Sequence, residues 1–215
     1  MKALIFDSSS IISLALNDLL YILEPLKKLF KGNFYITKTI KAEIIDRSIE
    51  TKKFMFEALM LQKLIKKGVI EVFDDQLKKE KYLDAANNLF KVKGKPINLV
   101  HAGEASCLDL YNNLKTNQKA MVIDERTTRM LCENPENLRK LMEKKLRKKI
   151  KAKKENYSFF EGMNIIRSSE LALIALNKKI INFSVPKLKI IEAMLYALKF
   201  KGCAISNSEI NSLLH

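Results

Sequence analysis

Five carboxylates stand at positions where acids do chemistry. Asp7 ends the apolar run ALIF at residues 3–6, and the pair Asp124–Glu125 follows the run AMVI at 120–123. Glu43 falls early in a helical stretch after the run FYI at 34–36, and Glu104 falls early in the helical stretch 99–114. Sites in open parallel sheets form beyond the C-terminal ends of the strands, and negative charge is favoured at helix starts. Four acids converging on one cleft repel one another unless a cation neutralises them, and hard oxygen donors of this kind select Mg²⁺ or Mn²⁺. A divalent ion in such a cleft activates water and offsets the charge that builds on a phosphodiester. Singly, each acid has an ordinary use: Asp7 as the cap of the next helix, Glu43 as a surface acid, Glu104 as a first-turn dipole partner. Their joint placement argues for a site.

The elements that must position these acids follow from periodicity. Buried-strand runs are expected at 3–6, 34–36, 69–73, 120–123 and 163–166. Helical patterns are expected at 11–30, from about 39 to 67 with Gly68 as the stop, at 76–92, at 99–114, and from about 126. Amphipathic helices follow at 169–178 and 187–200, with a short capped helix at 206–214. The rhythm predicts an α/β fold, a parallel sheet of about five strands covered by helices on both faces, as a single domain over 1–215. If the first and fourth strands are neighbours where the order reverses, Asp7 and Asp124 flank the crevice.

One segment departs from the rest. Residues 139–154 carry ten Lys/Arg and one acid, more than half of the net +15 of the 215-residue chain. The spacing of Leu141, Leu146 and Ile150 predicts a helix with one docked edge, inside a lysine-rich insert at about 135–162. A block of like charge is ordinarily a solvated face. The one-sidedness here, with a pI near 9.6, points instead to a polyanion, nucleic acid before an acidic membrane. Arg139, Lys140, Lys144, Lys145, Arg147, Lys148, Lys149, Lys151, Lys153 and Lys154 are the residues expected to meet phosphates. Arg126, Arg129 and Arg167 are expected near the cleft edge, where they can hold phosphates; for Arg126, structural pairing with the acids is the equal alternative.

Composition removes other classes. With 47% hydrophobic residues the chain is not disordered, and six Gly with four Pro argue against sandwiches and propellers. Cys107, Cys132 and Cys203 are scattered, as structural thiols of a reducing cytoplasm are. No signal peptide or span of ~18–20 apolar residues is visible, so no membrane is expected. His101 and His215 are the only histidines, which leaves no Ser-His-Asp or Cys-His arrangement. No glycine-rich phosphate loop is present. Asp7 with Ser9 two residues on also argues against a haloacid dehalogenase phosphatase, which needs a second Asp there.

FDSSS after the first strand, TIKAEI around Glu43, HAGEASCLDL around Glu104 and VIDERTTR after the fourth strand resemble the PIN domain, a metal-dependent nuclease fold that includes VapC-like ribonuclease toxins. IIRSSELALIALNKKII with the final helix is similar to the C-terminal part of prokaryotic PIN proteins. The resemblance implies a sheet of order 3-2-1-4-5 and an acidic quartet of Asp7, Glu43, Glu104 and one of the Asp124–Glu125 pair. It implies that Ser9 supports the first Asp and Arg126 stands beside the fourth acid. It further implies a cytoplasmic Mg²⁺- or Mn²⁺-dependent endoribonuclease, a toxin or an RNA-processing enzyme. The partners expected are RNA, an antitoxin protein or a ribosomal component, and a second copy of the chain. The chain departs from the pattern twice: Glu125 stands before Arg126 where a second Asp is usual, with Asp124 ahead of it, and the basic insert is extra. The alternative is a non-catalytic RNA- or ribosome-binding module on the same fold.

Overall fold

A wholly apolar strand must be covered on both faces, and in the computed structural model ALIF is the central strand of a parallel sheet with all four residues buried. The structure describes residues 2–74 and 79–214. Its strands are β1 (Ala3–Phe6), β2 (Asn33–Thr37), β3 (Glu71–Phe73), β4 (Phe90–Val92), β5 (Lys95–Pro96), β6 (Lys119–Val122), β7 (Lys151–Ala152) and β8 (Ile165–Ile166). Five of them form one parallel sheet in the order β3-β2-β1-β6-β8. Counting those five alone, the order is 3-2-1-4-5, as expected. Ala3 registers against Asn33 on one side and Lys119 on the other. The chain therefore leaves β1 toward β2 and β3, then crosses back to β6, and a crevice opens beyond the ends of β1 and β6. The helix Ala102–Asn113 packs against β1, β2 and β6. Phe6 and Phe34 meet in the core with ring centres 5.3 Å apart.

Several expected elements are subdivided. The pattern at 11–30 becomes the helix Ser8–Ala15, a 3₁₀ turn Leu20–Ile22 and the helix Leu23–Phe30, with Asp18 left-handed (φ 55°) at the break. The stretch from 39 to 67 becomes Lys38–Lys41, a π-turn Ala42–Asp46, the helix Arg47–Thr51 and, after a bend, the helix Met55–Lys66. Gly68, at φ +67°, ends the last of these as expected. Of the expected helix 76–92, residues 76–78 lie outside the described residues, as does His215. Lys79–Asn87 is helical.

Two expectations are corrected. Residues 90–92 are a strand, because Lys93 (φ 49°) and Gly94 (φ 81°) make a two-residue hairpin turn with both central residues left-handed. The segment 139–154 is not one helix. The helix Pro135–Leu146 stops at Arg147 (φ 51°), and Lys151 and Ala152 add a strand antiparallel to Phe90 and Lys91. The stop lets Ile150 turn inward and donate its N–H to Glu143 Oε1 at 2.8 Å, while Phe90 packs edge-on against Tyr157. The result is a second, antiparallel sheet of order β5-β4-β7.

All three cysteines are buried thiols outside any disulfide. Burial pushes the Cys132 thiol up to about 12 and Cys203 to about 11, so both are inert. Among the described residues, no single helix is long and apolar enough to cross a membrane.

Candidate active site and nucleic-acid interface

Asp7 lies at the end of β1 and is fully buried. It caps the helix Ser8–Ala15: its Oδ2 accepts the Ser9 N–H at 3.0 Å and the Ser9 hydroxyl at 2.5 Å. The same Ser9 oxygen accepts the Asp124 N–H at 3.0 Å and the Glu125 N–H at 3.3 Å, tying the end of β6 to the end of β1. Among the described residues, Asp7 Oδ1 is buried with no hydrogen-bond partner. Loss of hydration raises the Asp7 carboxyl to about 7, with the charge of Glu104 next and that of Glu43 smallest, against the two bonds from Ser9.

Glu43 is carried on the π-turn, an irregularity that is frequent at functional sites. Partial loss of hydration, then the Glu104 charge, raises its carboxyl. A Ser8 hydrogen bond and the charges of His101 and Arg47 oppose the rise. Glu104 opens the helix Ala102–Asn113, where its Oε2 accepts the His101 N–H at 2.9 Å. A buried hydroxyl pair sets these two helices against each other. Thr37 Oγ1 lies 2.7 Å from Ser106 Oγ, Thr37 caps the helix that leads to Glu43, and Ser106 sits two residues past Glu104. Gly103 completes the approach: a Cβ there would stand 2.8 Å from Glu43 Oε2 and 2.9 Å from Ile40 Cδ1.

The structure thus brings three carboxylates together, Asp7, Glu43 and Glu104, not four. Asp124 is fully buried and faces the start of the helix Ser168–Asn177. Its Oδ1 accepts the Ser168 N–H at 2.8 Å and its Oδ2 the Ser168 hydroxyl at 2.6 Å. Glu125 caps the helix Arg126–Glu133, accepting the N–H groups of Thr127 at 2.7 Å and Thr128 at 2.6 Å. Both candidates for the fourth position satisfy helix N-termini, which is where their place after a strand puts them. Ser168 was the missed partner. Its signal was the RSSE box ahead of an apolar run, a helix-start signature.

Carboxylate oxygens are the donors a hard divalent cation takes. Here the charge of Glu104 helps raise the carboxyls of Asp7 and Glu43, and Asp7 keeps one buried oxygen without a hydrogen bond among the described residues. Among the described residues no three acidic, His or Cys side chains are already drawn to within ligand distance of one point. Arg126 is exposed and has no ion-pair partner among the described residues. Arg167 is held by Glu170 at 2.6 Å and Glu209 at 2.7 Å, so it is not free for phosphate, whereas Arg129 lies 3.9 Å from Glu133 with its Nε buried and without a hydrogen bond among the described residues.

Arg139 also leaves the expected phosphate-binding set. It pairs with Glu136 at 2.6 Å and Glu143 at 2.7 Å, and Glu136, which also accepts the Tyr157 hydroxyl, is held down at about 2 by the bond from Arg139. Lys140, Lys144, Lys145, Arg147, Lys148, Lys149, Lys151, Lys153 and Lys154 are exposed, and none has an ion-pair partner among the described residues. The hairpin extends this face with Lys91, Lys93 and Lys95, and Lys91 sits directly across from Lys151. Like charges opposite one another on a sheet are destabilising, so this arrangement does not serve folding. Lys91 and Lys153 also line a cavity of about 430 Å³ with Asn88 and Asn156. The KVKGK run of the hairpin carried the sequence signal for this addition. No family model, curated protein or solved structure matches the chain.

Proposed function

We propose that the chain is a divalent-metal-dependent ribonuclease of PIN type. The observation that carries the reading is the Asp7 carboxylate: buried at the crevice of a parallel sheet, near Glu43 and Glu104, with Oδ1 unpartnered. Asp7, Glu43 and Glu104 would hold Mg²⁺ or Mn²⁺. When bound, the ion supplies an activated water and offsets charge on the phosphodiester. Ser9 fixes the Asp7 carboxylate through Oδ2 and leaves Oδ1 without a hydrogen bond among the described residues. Asp124 and Glu125 anchor the helices that wall the cleft. Arg126 and the lysine face of the insert and hairpin would hold the RNA backbone, a job separate from hydrolysis. The resemblance suggests a toxin or an RNA-processing enzyme, with an antitoxin or ribosomal component as further partner.

A non-catalytic RNA- or ribosome-binding module is the second reading. It is favoured by the turn of Asp124 toward Ser168 and by the absence, among the described residues, of three side chains already at ligand distance. Thermal unfolding separates the two. Mn²⁺ at 100 times its Kd would stabilise a binding chain by about 2.7 kcal/mol, and Asp7→Asn should abolish the rise. Equal rises in both proteins would place the ion elsewhere and remove the proposed site.

A further inference from the structure

The run Lys52-Lys53-Phe54-Met55-Phe56 joins the helices Arg47–Thr51 and Met55–Lys66, and it is built against the ordinary rules of folding. Lys52 (φ 59°) and Phe54 (φ 60°) are both left-handed. For a bulky side chain that conformation costs roughly 1–2 kcal/mol. The two aromatic rings it presents stay in water, Phe54 at 46% and Phe56 at 72% exposure. Strain retained together with an exposed aromatic ring indicates a use other than stability. Cationic side chains stand on the turn and on the helix before it. Among the described residues, Arg47, Lys52 and Lys53 have no ion-pair partner, and Lys53 Nζ lies 5.3 Å from the centre of the Phe54 ring.

Beneath the turn is a cavity of about 340 Å³. Its apolar lining includes Ile12, Ile44, Phe54 and Leu61. Arg47 and Lys53 line it too, as do the carboxylates Glu43 and Glu57, and Glu43 is shared with the acidic cleft. A flat apolar guest with a negative backbone fits this arrangement. Aromatic rings interleaved with cations are how proteins hold unpaired nucleotides, the base on the ring and the phosphate on the cation. A base in a duplex cannot reach such a ring.

We infer that the turn at 52–56 and the cavity below it form a subsite for one unpaired RNA nucleotide beside the scissile phosphate. The base stacks on Phe54, and Arg47 and Lys53 meet the flanking phosphates. This rests on the ribonuclease reading of the cleft. An apolar protein segment would fill the same walls but has no call on the cations.

The test uses a single-stranded RNA heptamer with 2-aminopurine at its centre, in EDTA, with the full chain. Binding should quench the fluorophore. Phe54→Gly suits the left-handed backbone and should keep or raise the melting temperature, while it weakens binding roughly tenfold or more and removes the quench. Phe54→Leu should bind as poorly as Phe54→Gly, because it keeps apolar bulk and loses the stacking ring. Unchanged affinity and quench in Phe54→Gly would overturn the subsite alone. Full RNA binding by Phe54→Leu would overturn stacking on the Phe54 ring. A wild-type chain that binds no RNA at low salt would overturn the subsite with the reading beneath it. Phe54-dependent binding with no cutting in Mn²⁺ would keep the nucleotide site and overturn cleavage.

Discussion

Ser9 donates its hydroxyl to Asp7 Oδ2 at 2.5 Å while the same oxygen receives the N–H groups of Asp124 and Glu125. One small side chain therefore aims the central carboxylate and joins the ends of β1 and β6. Ser9→Ala should leave the N–H groups of Asp124 and Glu125 without their acceptor and Asp7 Oδ2 with only the backbone N–H of residue 9 as donor. The cost should be about 1–3 kcal/mol in urea unfolding, and the Asp7 carboxyl should rise above its present value. Ser9→Thr should restore most of the loss, and a silent Ser9→Ala would show that the joint is held otherwise.

The sign of the Asp7 shift sets a pH dependence. Its folded pKa, about 7, lies above the ordinary 3.8. Between those values the unfolded chain has released the proton and the folded chain still holds it, so stability should fall as pH rises from 4 to 7 in metal-free buffer and flatten above 7. Asn caps helices as well as Asp does. Asp7→Asn should therefore be more stable than wild type at pH 8, by a few kcal/mol, and nearly equal to it at pH 4. Parallel stability curves for the two proteins would show that Asp7 is not raised.

Gly103 is required by closeness. Ala is the better helix former by about 1 kcal/mol, but its Cβ would press on Glu43 Oε2 and Ile40. Gly103→Ala should fold, with a melting temperature within a few degrees of wild type, and should lose most of the Mn²⁺-induced rise because Glu43 is displaced. A full metal response would mean that Glu43 takes no part.

The lysine face and Arg139 should behave differently. Each lost phosphate contact flattens the dependence of RNA affinity on salt by roughly 0.7 log units per log unit of salt. Replacing Lys148, Lys149, Lys153 and Lys154 with Gln should produce that flattening with unchanged stability. Arg139→Gln should lower stability, because Glu136 and Glu143 lose their partner, and leave the slope alone. Salt titrations of RNA binding read both, and an unchanged slope in the lysine set would return the segment to a solvated face.

Much of the fold was legible because it rests on local signals. Short apolar runs such as ALIF and FYI are buried parallel strands by necessity, and Gly68 is a helix stop wherever it falls. The position of Asp7 was legible for the same reason, since it ends a buried strand and starts a helix. The fourth acid was not. Whether a carboxylate after β6 faces the cleft or caps a helix depends on Ser168, 44 residues away, and no local pattern encodes that pairing. The strand Lys151–Ala152 was hidden likewise, because its partner Phe90–Lys91 is remote in sequence and its lysines read as helix surface. The strained turn at Phe54 had no warning in residue type, since a phenylalanine gives no sign of a left-handed backbone.

The central claim is that Asp7, Glu43 and Glu104 support metal-dependent RNA hydrolysis. The most direct measurement is cleavage of one labelled single-stranded RNA, with and without Mn²⁺, by wild type, Asp7→Asn and Glu104→Gln purified in parallel. Wild type should cut only with Mn²⁺, and both variants should lose cutting while binding the RNA as tightly or more tightly, since a negative charge facing the phosphates is gone. Equal cutting by wild type and Asp7→Asn, or none by wild type with Mn²⁺ present and RNA bound, would contradict it.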